Sequence, residues 1–402
     1  MSTRGQSQEP TEVNSFCPNR IASVREDLPI FSQDWWLDVA RGTSDYHELK
    51  VFSGKHVVGR LPFILSRRRF GVVRGHDPYW SHLGGPILDT ELSPVEQAGV
   101  LRSLLNQLPR RMSFSFVCDP TSSYSHLLRA AFAKAGFTHS KQVTYIRFPN
   151  EQEVLASRKS KHRGHFKRAA KNLECVDISP AEFVRFFEGN LKARGKKSYA
   201  PLATLCALLE EAIARGRARV IAARPRPSNT SQDGCYVLSR FYDAAIAYVW
   251  DTSRCYYWLS TNRVASEETS LAKPHPDAIK LLALRAMEHA QAANLVFDAD
   301  GVATPGADHL YRNIFGLTEE RYRDVFERVE IVDRLYEKCR SRFHAIVSQV
   351  GAQSRSVATN PRRDVSKTTR ISIREQPYSP AFPAWQELHP CRQDDLRPPR
   401  QS

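Results

Sequence analysis

The chain runs twice through the same order of elements, and that repetition limits the fold more than any single motif does. The first run opens with an aromatic helix, FSQDWWLDVA, at Phe31 to Ala40. Two alternating segments follow, YHELKVFSG and HVVGRLPFILSRRR from His56, with Ser53-Gly54-Lys55 between them as a hairpin turn signal. A loop carrying His76-Asp77-Pro78-Tyr79-Trp80 leads to Leu83-Gly84-Gly85-Pro86. The spacing of Val95, Val100, Leu101, Leu104 and Leu105 predicts a helix from Pro94 to Leu108. A strand from Met112 to Cys118, a helix from Ser123 to Ala135 and a strand from Gln142 to Phe148 complete the run.

The second run starts with a basic helix over Ser160 to Asn172, a strand CVDIS and a helix AEFVRFFEGNLKARG. Another helix, Pro201 to Arg215, ends at Gly216, which suits a C-cap. Strands are expected at ARVIAAR from Ala218, GCYVLSRFY from Gly234, AAIAYVW from Ala244 and CYYWLST from Cys255. A polar loop, Asn262 to Pro276, enters a helix from Asp277 to Ala293; the strand LVFDAD, a Gly-rich loop and a helix at His309 to Phe315 follow. Antiparallel strands, then a helix crossing to a parallel strand, read as an α+β or α/β domain present twice.

Length agrees with that reading, because 402 residues exceed one ordinary core. The expected divisions are a disordered N-terminus at 1–26, one domain at 27–150, a second at 151–345, and a disordered tail at 346–402. The tail is rich in Ser, Pro, Arg and Gln, as in PYSPAFPAW and RPPR, and buries too little to offset its ordering entropy. The apolar fraction of 41% suffices for true cores elsewhere. No stretch is apolar enough for a membrane span, and the polar start has no signal-peptide core, so the expected location is cytoplasmic. The eight cysteines form no Cys-x-x-Cys pair, which removes zinc-ribbon and thioredoxin-like readings.

The net charge of +15 implies an anionic partner. Seven Lys and Arg without an acid lie between Arg158 and Lys171, which reads as a solvated helix face or as a contact for RNA or an acidic polymer. Trp35-Trp36 and Tyr79-Trp80 read as core and hinge packing. No G-x-S-x-G, Walker loop or G-x-G-x-x-G occurs, against hydrolase, NTPase and dinucleotide-binding readings.

Two constellations could carry chemistry. The loop from Asn262 and Arg263 through Lys273 and His275 empties into a helix at Asp277. A helix N-terminus offers unpaired N–H groups and a positive dipole end, so the loop suits a pyrophosphate, unless it is an ordinary connection capped by Asp277. Asp298 and Asp300 end an apolar strand. Carboxylates there could take a proton from an attacking amine, cap the next loop or hold a metal; no third acid at helpful spacing supports the metal.

Several segments together resemble the FemAB-like and CelD/BioF-like acyltransferases, tandem-domain members of the GNAT superfamily. They are Asp34-Trp35-Trp36, Gly59-Arg60-Leu61-Pro62 and Leu83-Gly84-Gly85-Pro86 in the first run. In the second they are Ser160 to Ala169, Tyr256 to Arg263, Phe297-Asp298 and Tyr311-Arg312 to Phe315-Gly316. The resemblance spans residues 27 to 335. It implies an α+β fold of two tandem GNAT-like domains, each a mixed central sheet flanked by helices, and an N-acyltransferase activity. Acyl-CoA is the expected donor and co-substrate, with no metal, and an amine on a sugar, peptide or small molecule is the acceptor. The alternatives are a Fem-type transferase using aminoacyl-tRNA, or an inactive relative that binds an acidic polymer. The implied catalytic residues are Asp298 or Asp300 as base and Tyr311 as acid. The implied donor contacts are Asn262, Arg263, Lys273, His275 and Arg312.

Overall fold

The structure, a computed structural model, describes residues 28–335 apart from 43–44, 68–72, 153–159, 227–241, 265–272, 302–304, 318 and 332–333. The expected N-terminal segment, the C-terminal tail and the strand from Gly234 lie outside the described residues. The first half comprises α1 (Asp34–Arg41), β1 (Tyr46–Ser53), β2 (His56–Arg67), β3 (Val73–His76), β4 (Ile87–Leu88), α2 (Pro94–Gln107), β5 (Ser113–Cys118), α3 (Ser125–Lys134) and β6 (Thr138–Arg147). The second comprises α4 (Ser160–Asn172), β7 (Leu173–Asp177), α5 (Pro180–Ala193), α6 (Leu202–Ala214), β8 (Ala218–Pro225), β9 (Ala244–Trp250) and β10 (Arg254–Asn262). It continues with α7 (Ala278–Ala292), β11 (Val296–Asp298), α8 (Pro305–His309), a π-helical turn (Leu310–Phe315) and β12 (Glu319–Arg328).

Local chemistry starts the helices where the sequence says. Ser93-Pro94-Val95-Glu96 and Ser179-Pro180-Ala181-Glu182 each form a capping box with proline in the first turn, opening α2 and α5. Alternate residues of the strands then bury against helices. On one face Tyr256, Trp258 and Val220 meet Phe183 and Phe187 of α5 and Leu205 and Leu209 of α6. On the other, Cys255, Tyr257 and Phe297 meet Leu281, Leu282 and Ala286 of α7.

The halves repeat one topology. In the first, β1, β2 and β3 pair antiparallel in sequence, and α2 carries the chain to β5, parallel to β3. In the second, β8, β9 and β10 do the same, and α7 carries the chain to β11, parallel to β10. Each half then surrenders its last strand: β6 pairs with β11, β12 pairs with β5, and β6 and β12 pair antiparallel with each other. The two central sheets are thereby one sheet, ordered β1-β2-β3-β5-β12-β6-β11-β10-β9-β8-β7 with β4 on β2. This is an α+β fold of two halves that repeat one topology about a shared sheet. No described helix is long and apolar enough to cross a membrane.

Aromatic residues close the seam between the halves. Trp36, Trp80 and Trp258 are fully buried; Trp258 Nε1 donates to Trp80 O at 2.9 Å and Trp80 Nε1 to Pro201 O at 3.1 Å. Trp35, Trp36, Tyr79 and Trp80, expected in core and hinge packing, lie in the buried core.

The halves differ at their parallel strand pairs. Beyond β3, Asp77 accepts hydrogen bonds from Val117 N (2.8 Å) and Gly85 N (3.0 Å), and Gly84 N donates to Val117 O at 2.7 Å. The Asp77 carboxylate and an isolated bridge at Gly84 thus occupy the edge of β5 beyond its pairing with β3. In the second half β10 pairs with β11 only over Arg254, Cys255 and Tyr256, then runs on to Asn262 while β11 ends at Asp298. A bulge at Tyr257 and Trp258, which together face one residue of β9, turns β10 away.

Two outcomes follow for the closed pair. A Cβ on Gly84 would sit 2.0 Å from Asp77 Oδ1, whose carboxylate is fixed by two backbone donors. Gly84→Ala should therefore lower unfolding stability by roughly 2 kcal/mol or more, read from urea midpoints. Burial lifts the Asp77 carboxyl to about 7 against the pull of its backbone donors. Because the raised group holds its proton more tightly when folded, its contribution is complete below its ordinary value of 3.8 and is lost as pH rises through about 7. Stability of the wild type should fall over that window, and Asp77→Asn should remove that slope.

Candidate active site

The parting of β10 and β11 gathers polar side chains from three strands and two loops, drawn from both halves, on the face shared with α5 and α6. Asp298 ends β11 and is 1% exposed; its Oδ1 accepts from Thr144 Oγ1 of β6 at 2.7 Å and from Asp300 N at 2.8 Å. Gly301 N donates to Thr144 Oγ1 at 3.0 Å, closing the turn. Within it Asp300 takes a left-handed backbone, φ 61°, unusual for a residue with a side chain. The turn sends the Asp300 carboxylate across the seam to an arginine and a histidine. Arg323 of β12 donates through Nη2 to Asp300 Oδ1 and lies 3.5 Å from Asp298 Oδ1, and His82 of the first half places Nδ1 against Asp300 Oδ2.

His82 is itself buried, stacked on Phe31 at 5.5 Å and 6.3 Å from Trp258. With a carboxylate at Nδ1, the proton resides on that nitrogen and Nε2 is the basic one. The arrangement is an oriented imidazole whose orienting carboxylate is in turn held by an arginine, an order of contacts suited to proton transfer.

Tyr311 lies on the other face of the sheet. It sits in the π-helical turn, 2% exposed, with its ring 6.4 Å from those of Tyr145 and Tyr257. Burial, with the nearby Tyr257 and Asp298, pushes its hydroxyl well above the ordinary phenol range, so it stays a proton donor. The two expected acids and the expected tyrosine are therefore near one another but on opposite sides of the sheet where its strands separate.

The predicted donor contacts surround the N-terminus of α7, next to the end of β10. Arg263 Nη2 donates to Asp243 at 2.7 Å, and the other oxygen of Asp243 accepts from His275 N at 3.0 Å. Asn262 presents its carbonyl to Arg194 at 2.8 Å. Lys273 is exposed, and residues 265–272 of this loop lie outside the described residues. The buried Asp277 at the helix start meets His165 and Arg168 of α4 at 3.2 Å and Lys280 at 2.6 Å. Burial alone would raise its pKa, but these donors outweigh burial and hold the carboxyl below its ordinary value. The helix mouth keeps a positive balance through them. Arg312 lies away from this mouth, over the Tyr145 ring at 5.1 Å and paired with Asp308 at 3.2 Å.

Sequence reasoning did not find His82, Thr144 or Arg323. His82 has no local motif beyond its place before Leu83-Gly84-Gly85-Pro86, and Arg323 lies in a charged stretch with no strand signal. Among the described residues no group of three or more His, Cys, Asp or Glu side chains is placed to hold a metal ion.

No protein-family model matches the chain, and no curated protein matches it. Solved structures with a similar course include FemX, at a TM-score of 0.48 and 11% identity, covering 76% of this chain and 92% of that one. Another is the C-terminal domain of a putative lysylphosphatidylglycerol synthetase from Agrobacterium fabrum, at 0.46 and 13%, covering 75% and 89%. A tandem GNAT protein from the clavulanic acid biosynthesis pathway gives 0.38 and 13%, covering 70% and 82%.

Proposed function

We propose that the chain is an N-acyltransferase that moves an acyl group from coenzyme A to an amine through the break between β10 and β11. The observation that carries this reading is the distribution of groups about that break. A helix N-terminus with a cationic surround and a buried tyrosine lie on one face, and an oriented histidine with two carboxylates lies on the other. A donor on the α7 face and an amine on the seam face would meet there.

The residues divide the work as follows. The N-terminus of α7, with Arg168, Lys280, Lys273 and His275, favours the donor's pyrophosphate. The bulge at Tyr257 and Trp258 takes a backbone group out of the ladder, and an N–H so released can face the carbonyl oxygen as negative charge develops on it. His82, oriented by Asp300, takes the proton of the attacking amine as nitrogen bonds to the acyl carbon. Tyr311 gives its proton to the thiolate as the carbon–sulfur bond breaks. Asp298 positions Asp300 through its backbone N–H. A cytoplasmic location belongs to the same reading; the four free cysteines among the described residues, Cys118, Cys175, Cys206 and Cys255, suit a reducing compartment.

One observation favours an aminoacyl-tRNA donor instead. Arg163, Lys167 and Lys171 are exposed along α4 at four-residue spacing, beside the mouth of α7, and could follow a phosphate backbone. Melting curves separate the two donors. Acetyl-CoA, longer acyl-CoAs or desulfo-CoA at about 100 times the dissociation constant should add ~2.7 kcal/mol. A shift with tRNA alone, steeply weakened by salt, would transfer the reading to the second donor; no shift with either would contradict both.

The proton-transfer roles make a separate prediction. His82→Gln and Tyr311→Phe should each lower kcat by about 100-fold or more while the donor-induced melting shift persists. Unchanged kcat in either variant would remove that residue from the assignment.

A further inference from the structure

A cavity of about 680 Å³ opens between the halves on the seam face, within the size range of small-molecule sites and at the domain junction where such sites concentrate. One wall is built from alternate residues of three adjacent strands, Ile146 of β6, Val296 of β11, and Arg254 and Tyr256 of β10, with Phe148 just past the end of β6. Side chains two apart on a strand share a face. The next residues inward on that face are Thr144 of β6 and Asp298 of β11, which bond to each other and lead to Asp300 and His82. Val296 and Asp298 are about 7 Å apart along the strand. Leu83, the neighbour of His82, lines the facing wall. The cavity therefore ends beside the proton-transfer cluster on the face opposite α7, with Thr144 and Asp298 the next residues inward.

Its lining runs against the charge of the chain. The protein carries +15, yet the ionic groups of the cavity are Asp119, Asp251 and Arg254. Arg254 is matched by Asp119 at 3.3 Å and donates also to Thr121. Asp251 is 2% exposed and is held by neutral donors: Ser253 N and Oγ at 2.8 Å, Arg254 N at 2.8 Å and Tyr256 Oη at 2.9 Å. The cavity thus keeps one net negative charge, which favours a cation. Around it stand the hydroxyls of Thr121, Ser122, Ser123 and Ser253; those of Thr121, Ser122 and Ser253 donate to Asp119 or Asp251 and keep lone pairs that can accept from a ligand, and Phe148 offers an apolar surface near the rim.

We propose that this cavity binds the acceptor, and that the acceptor is an amino sugar. The ammonium is drawn by Asp251, the sugar hydroxyls by the Ser and Thr side chains, and the C–H face of the ring by Phe148. The proposal rests on the acyl-transfer reading, because the cavity matters as the approach of an amine to His82.

Calorimetric titration of the full chain with glucosamine, N-acetylglucosamine, glucose and cadaverine tests it, alongside melting shifts with acetyl-CoA. Glucosamine should bind about tenfold or more tightly than the other three, since each of them lacks the ammonium or the hydroxyls. Ser123→Trp, which adds bulk at an exposed position of the wall, should abolish glucosamine binding and leave the acetyl-CoA shift intact. Asp251→Asn should bring glucosamine down to the affinity of glucose. Equal binding of glucosamine and glucose by the wild type, a preference for cadaverine, or unchanged binding by Ser123→Trp would overturn the proposal. Loss of the cavity proposal with a retained acetyl-CoA shift leaves acyl transfer standing. Glucosamine binding with no shift from acetyl-CoA or tRNA would instead remove the acyl-transfer reading.

Discussion

The antiparallel pairing of β6 with β12 is the interaction on which the rest of the structure depends. Each strand ends its own half of the chain and completes the ladder of the other, from Glu319 opposite Ile146 to Glu327 opposite Thr138. Backbone hydrogen bonds and side-chain packing thereby become common to both halves, and neither half has a complete sheet without its partner. The same exchange carries Thr144 on β6 and Arg323 on β12 to the end of β11, where they hold Asp298 and Asp300. Assembly of the fold and assembly of the site are one event.

That shared frame holds two unequal parallel strand pairs. In the first half Asp77, Gly84 and Gly85 fill the place where β3 and β5 would separate, and a methyl group on Gly84 would strike the Asp77 carboxylate. In the second half the corresponding strands separate, with a bulge on β10 and Asp300 in a left-handed turn beyond β11. The segment that closes the first pair also supplies His82 to the second. The buried charge at the seam is therefore shared, with His82 from the first half and Arg323 of β12 both meeting Asp300.

Much of the fold was legible in the sequence because its helices and peripheral strands follow local rules. The apolar stripe of α2 and the glycine stop after α6, where Gly216 takes φ 65°, are examples. The repeated order of elements was legible for the same reason. The central strand β12 was not. Its sequence, EERYRDVFER, reads as a charged surface segment, and it is a strand because its charges find partners across the sheet. Arg323 meets Asp300, Asp324 meets His139 at 2.6 Å, and Glu327 meets Arg74 at 2.9 Å. β6 likewise begins four residues earlier than its apolar pattern indicates, at Thr138, because β12 pairs with its polar start. In the candidate site, Asp298 and Asp300 were legible as a carboxylate pair at a strand end, and Tyr311 through the resemblance alone. The partners that orient them come from strands and loops distant in sequence, and no local pattern marks such residues.

The central claim is that the donor binds where β10 leaves β11, and that the first half takes none. Hydrogen–deuterium exchange with and without saturating acetyl-CoA tests it directly, because strand ends and helix starts exchange readily unless covered. The account predicts new protection in residues 257–262 of β10 and residues 273–282 at the mouth of α7, with none in residues 77–85 or 115–121. Protection confined to the first half, or acetyl-CoA binding with no change at the β10 end, would contradict it.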